Sequence, residues 1–172
     1  MDLSLVGRGL SEYGRDLYLA RLGALEEWPA AVDLGSRYFT LFLAMDARPL
    51  PEDSITEFAR TLLDQGLAAL DAWGPESDRV HTLFDLAKID KELASGLPTP
   101  FDLHVMTNSW EKETLCGSLW FAVISAWPSP GFEEGWRSRL AIVVDQPEWA
   151  DQVERWLSDL QLLDEDAAAE DD

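Results

Sequence analysis

From Arg37 onward, short apolar runs alternate with stretches whose apolar residues recur at helical spacing. That alternation predicts strands joined by crossover helices. "RYFTLFLAM" (37–45) is a nearly continuous apolar run, the pattern of a strand buried on both faces. The next segment, "PLPEDSITEFARTLLDQG", carries Ile55, Phe58, Ala59, Leu62 and Leu63 on one helical face. Ser54 stands three residues before Glu57 as a capping box, and Gly66 marks the end. "LAALDAW" (67–73) predicts a second strand, closed by Gly74-Pro75, and Val80, Leu83, Phe84 and Ala87 predict a second helix.

"FDLHVMT" (101–107) predicts a third strand and residues 111–127 a third helix, broken by Pro128, Pro130 and Gly131. "RLAIVVD" (139–145) predicts the fourth strand, and Trp149, Val153, Trp156, Leu157 and Leu160 a final amphipathic helix. Before Arg37 the pattern changes. Leu17, Tyr18, Leu22, Leu25 and Trp28 suggest one helix, interrupted early by Gly7, Gly9 and Gly14. The expected fold is α/β: a single open, mostly parallel four-stranded sheet with helices on both faces, a three-layer arrangement of the flavodoxin or Rossmann kind. Residues 1–36 form an added N-terminal helical extension, 37–163 the α/β domain and 164–172 a disordered acidic tail.

In such a sheet, ligands bind beyond the C-terminal strand ends, where strand order reverses. The expected edge residues are Asp46, Thr107, Asn108 and Asp145. Asp46 and Asp145 have the carboxylate chemistry of a Mg²⁺ ligand or an acid–base pair, but no glycine-rich loop, lysine or second acidic motif accompanies them. Turn and helix-start roles suit them equally. His81 and His104 lack a neighbour at metal-ligand spacing, and no nucleophile-elbow or zinc-hydrolase motif occurs. No catalytic residue, metal or cofactor is expected.

Asp71 is unusual because it interrupts an apolar strand, where a carboxylate needs an arginine or hydrogen-bond donors. Asn108 and Glu111 are spaced as a helix cap. On the third helix, Phe121 falls beside Thr114, Ser118 and Ser125, the one polar face. An exposed aromatic there suits a partner contact, as do Trp110 at the turn and Trp136 in the polar segment 133–137.

Composition narrows the function classes. The 172 residues suit one domain, and the formal charge of −20 makes direct binding to nucleic acid or an anionic membrane unfavourable. The same charge favours a partner protein with a basic surface, and also a nucleic acid mimic. Six acids in the last nine residues read as a self-repelling tail. A single cysteine, Cys116, excludes an internal disulfide and points to a reducing compartment, and no leader or membrane-spanning run is seen; a cytoplasmic protein is expected.

The stretches "AWGPESDRVHTLFDLA" (72–87) and "VMTNSWEKETLCGSLWFAVISAWP" (105–128), with the spacing between them, resemble an uncharacterised bacterial α/β domain family, a domain of unknown function. The resemblance covers the middle half of the chain and implies a compact α/β domain without a known reaction. Family members tend to carry a histidine after the turn tryptophan; Glu111 stands there in this chain. That departure speaks against a catalytic turn. The expected function is protein–protein binding, as an immunity protein, antitoxin-like inhibitor or accessory regulator. The alternative is a small-molecule or nucleotide-type site at the strand edge.

Overall fold

The computed structural model describes residues 1–9 and 14–170; Leu10–Tyr13, Asp171 and Asp172 lie outside the described residues. The sheet has six strands in the order β1-β2-β6-β3-β4-β5. They are β1 (Asp2–Arg8), β2 (Asp16–Leu22), β3 (Tyr38–Met45), β4 (Leu67–Trp73), β5 (Met106–Ser109) and β6 (Trp136–Val144). Only β1 runs antiparallel, against β2; the other pairs are parallel. The helices are α1 (Glu52–Asp64), α2 (Ser77–Ser95), α3 (Leu115–Trp120), α4 (Pro147–Ser158) and α5 (Leu160–Glu170).

Alternation along each strand divides the core in two. Leu41 and Leu43 of β3 and Leu70 of β4 pack beneath α1 and α2. Phe42 and Ala44 of β3, with Ala141 and Val143 of β6, pack beneath α3, α4 and α5. The three-layer α/β architecture is therefore present, with a wider sheet than the four strands expected. The extra strands are β1 and β2, in the segment expected to be helical. Leu17 and Leu19 join one half of the core while Ala20 and Leu22 join the other. A short run buried on both faces cannot be told from a helix by periodicity. Gly7, which looks like a helix breaker, is a close-approach residue: a Cβ there would lie 2.5 Å from the Leu157 carbonyl oxygen of α4.

The third strand and helix also differ from expectation. Residues 101–103 form a single 3₁₀ turn, and β5 is a four-residue edge strand beginning at Met106. Helix α3 starts at Leu115 because Thr114, not Asn108, accepts the Gly117 N–H at its end. It continues as a π-helical turn, Phe121–Ser125. The buried Arg139 guanidinium donates to the Ala122 and Ala126 carbonyls of that stretch. A cation thereby meets carbonyls at the negative end of the helical rod.

Helix α5 runs from Leu160 through Glu170, so residues 164–170 of the segment expected as a disordered acidic tail are helical. Leu160 and Leu163 are buried, and donors from α3 and α4 meet its acids: Trp120 Nε1 to Asp164 at 2.9 Å, Trp156 Nε1 to Asp166 at 2.9 Å, and the Thr114 hydroxyl to Glu170. Among the described residues, no helix is long and apolar enough to cross a membrane.

Candidate functional site

Helix α2, which follows β4, covers one face of the sheet, and α3, which follows β5, covers the other. The chain therefore leaves the adjacent ends of β4 and β5 toward opposite faces of the sheet, and Trp110 stands there, immediately after β5. Its backbone N–H continues the ladder to the Ala72 carbonyl at 2.9 Å. Its indole Nε1 donates to Asp71 Oδ1 at 3.0 Å, and Asn108 Nδ2 donates to the same oxygen at 3.0 Å. Asp71 is 1 % exposed and is the buried acceptor its position in an apolar strand demands. Burial pushes its carboxyl above the ordinary carboxylate range, opposed by the bonds from Trp110 and Asn108 and by the charge of Arg139. Burial in turn lowers Arg139 to about 10, with Arg15 acting in the same direction and Asp71 against it.

Fixed at both ends, the Trp110 ring meets Phe121 at 4.7 Å between centroids, inclined by 52°. The two are eleven positions apart in sequence, and the turn from β5 into α3 brings them together. They share a groove of about 410 Å³ between α3 and α5, with Gly117, Ser118 and Trp120 from the first helix and Ala167 and Ala168 from the second. Glu113, Thr114, Asp164 and Glu170 complete the lining, so it contains three carboxylates and no basic residue. The Ser118 hydroxyl is buried, 1 % exposed as a residue, and has no hydrogen-bond partner. Aromatic faces, carboxylates and an unsatisfied hydroxyl together suit a cationic group carried on an apolar stem.

The other sequence candidates fall elsewhere. Thr107 and Asn108 are neighbours on β5 and point to opposite faces. Thr107 Oγ1 donates to Asp85 of α2 at 2.7 Å, while Asn108 is held by Asp71. Asp46 forms an ion pair with Arg48, whose hydrogen bond holds the Asp46 carboxyl below the ordinary range. Asp145 is exposed and takes a left-handed φ of 52° at the end of β6. Asp46 and Asp145 follow Met45 and Val144, partners in the β3–β6 register, whereas Thr107 and Asn108 stand on β5, separated from β3 by β4; no group of three or more His, Cys, Asp or Glu among the described residues is arranged to hold a metal.

Trp136, expected at the surface, is fully buried. It opens β6, its Nε1 donates to the Ser138 carbonyl at 3.0 Å, and the guanidinium groups of Arg15 and Arg139 lie 4.5 and 4.8 Å from its ring centroid. Packed into the core this way, it is not available as a contact. Sequence reasoning missed Glu113, Asp164 and Glu170 as groove residues. The alanine run 167–169, strong helix formers directly after the acids, is the signal that favours a helix there.

The fold is an open, mostly parallel α/β domain with an antiparallel edge strand. Residues 18–160 match the profile of a family described as a domain of unknown function, DUF7684, and the chain belongs to that family. Comparison with curated proteins finds no match.

Proposed function

We propose that the protein acts by binding another protein, one with a basic surface, through the groove between α3 and α5. The observation carrying this reading is the pairing of Trp110 and Phe121 beside Glu113, Asp164 and Glu170, in a groove lined by no cation. A lysine or arginine of the partner lays its stem along the aromatic rings and its charge against the carboxylates. The net charge of −20 steers such a partner and disfavours nucleic acid and membrane surfaces. An immunity protein, an antitoxin-like inhibitor or an accessory regulator fits this description, acting in the cytoplasm. The strand-edge alternative has less support, because Thr107, Asn108 and Asp46 already have partners within the chain.

The test is to isolate the tagged protein from its native cells with associated proteins retained, beside a Phe121→Ser variant and a Glu113→Lys, Glu170→Lys double variant. The reading expects a basic protein at stoichiometric yield with the unaltered chain, lost with both variants while each still unfolds in a single cooperative transition. Repeated recovery of the unaltered chain without a partner, or equal capture by the variants, sinks it.

A further inference from the structure

The side-chain donors of the groove between α3 and α5 are engaged inside the fold. Trp110 Nε1 donates to Asp71, Trp120 Nε1 to Asp164 and the Thr114 hydroxyl to Glu170. The two indoles therefore meet a ligand through their rings and not through N–H. The Ser118 hydroxyl, buried in the same wall without a partner, can donate or accept. The other polar side-chain groups of the lining are acceptors: the Glu113 carboxylate, which has no partner among the described residues, and the second oxygens of Asp164 and Glu170.

These acceptors are arranged around the aromatic pair. The Glu113 N–H donates to the Trp110 carbonyl at 3.3 Å, which closes a turn and sets Glu113 beside Trp110. Thr114, next in sequence, holds Glu170, so two carboxylates stand at this end of the groove. Asp164 lies further back on α5, about 9 Å along the helix axis from Glu170. The neighbouring charges do not offset these acids. Glu111 and Lys112, exposed and outside the lining, balance each other, and Glu165 and Asp166 of α5 add negative charge.

Such a wall selects a cation that carries donors and no acceptor, which among side chains describes lysine and arginine. Two features separate them. A guanidinium is planar, stacks on aromatic faces and is more weakly hydrated than an ammonium, so it loses less on leaving water for a wall of Trp110, Phe121, Ala167 and Ala168. Its fork also donates to both oxygens of one carboxylate, and both Glu113 oxygens are free, whereas an ammonium acts as a point charge. Resting on the reading of this groove as a site for a basic partner, we propose that it takes an arginine of that partner in preference to a lysine, stacked on Trp110 and Phe121 with its fork on Glu113.

Titration of the isotopically labelled full chain with two acetylated and amidated tripeptides, Ala-Arg-Ala and Ala-Lys-Ala, tests this through the indole N–H resonances. The arginine peptide is expected to shift Trp110 and Trp120 saturably, with a half-point at least about tenfold lower than that of the equally charged lysine peptide. Trp28 and Trp136, outside the groove, stay unshifted. Phe121→Ser, still unfolding cooperatively, removes most of the preference for arginine, and Glu113→Gln weakens binding of the arginine peptide. Equal half-points for the two peptides on the unaltered chain overturn the arginine preference and leave the basic-partner reading standing. No shift at Trp110 and Trp120 with either peptide also overturns it, and capture from native cells then decides the basic-partner reading separately. An arginine half-point that both Phe121→Ser and Glu113→Gln leave unchanged overturns it as well.

Discussion

Replacing Asp71 with alanine and, separately, with asparagine distinguishes the work done by its shape from the cost of its charge. Both hydrogen bonds arrive at one oxygen, from Asn108 and Trp110, each at 3.0 Å. Asparagine keeps an acceptor oxygen there, whereas alanine leaves two donors unsatisfied at a site that is 1 % exposed. At roughly 1–2 kcal/mol for each donor, Asp71→Ala costs about 2–4 kcal/mol. At about 2–4 °C per kcal/mol for a chain of this size, the melt falls by roughly 4–16 °C. Asp71→Asn stays within about 1 kcal/mol of the unaltered protein at neutral pH, since removal of the buried charge offsets a weaker acceptor.

The pH dependence has a definite sign. The folded pKa of Asp71 is raised, so its contribution is most favourable below the ordinary carboxylate pKa and is lost as pH climbs from that value through the raised one. The stability of Asp71→Asn relative to the unaltered chain must therefore increase with pH across that window. Urea unfolding of the three proteins at several pH values, followed by tryptophan fluorescence, measures both effects. If the alanine and asparagine variants are equally stable, the carboxylate does not anchor Trp110. If the difference between asparagine and aspartate does not change with pH, the buried-charge account is wrong.

Three further outcomes follow from the packing. Burial, with Glu170 and Asp166 next in effect, pushes the Cys116 thiol up to about 11, so iodoacetamide labelling at neutral pH should track unfolding, and rapid labelling of the native protein would contradict the site described. Gly74 has φ +111° and a Cβ there would sit 2.4 Å from the Met45 carbonyl oxygen, so Gly74→Ala should cost more than about 1 kcal/mol in urea titration, and a neutral result would refute the close approach of the two strand ends. Truncation after Asp159 removes buried Leu160 and Leu163, at about 1.5–3 kcal/mol each, and should both destabilise the domain and abolish partner capture; full stability would mean that α5 is not seated on the core.

The sequence revealed those elements whose burial is uniform along their length. Residues 37–45, 67–73 and 139–145 are apolar nearly throughout because helices cover both faces, and all three are strands. Asp71 stood out for the same reason, as a charge in the interior of an apolar run, where Arg37, Arg139 and Asp145 stand at run ends. The N-terminal strands were hidden because β1 is an edge without a buried residue and the apolar run of β2 is broken by Asp16 and Arg21. Strand β5 lies in a polar stretch, and its pairing to β4 is a tertiary fact that local composition does not encode. Trp136 looked exposed because its sequence neighbours are charged, yet it begins a strand whose register turns the ring into the core. Phe121 and Trp110 were recognisable singly; their contact depends on Thr114 rather than Asn108 capping α3, which sets where the helix begins. The acids of α5 meet donors more than forty residues away in Thr114 and Trp120, a distance no local pattern spans.

Helix α5 contains no lysine or arginine, and its carboxylates are met by indole N–H groups and a hydroxyl, donors that bring hydrogen bonds without neutralising charge. Mutual repulsion of its acids, and the placement of Glu170 at the negative end of the helix dipole, therefore work against its seating. Added salt screens both, so the helix holds more firmly as ionic strength rises, the reverse of an element clamped by ion pairs. A cationic surface brought against the groove has the same effect at a single place. Occupancy of the groove and ordering of its own wall are thus thermodynamically linked, and each must strengthen the other.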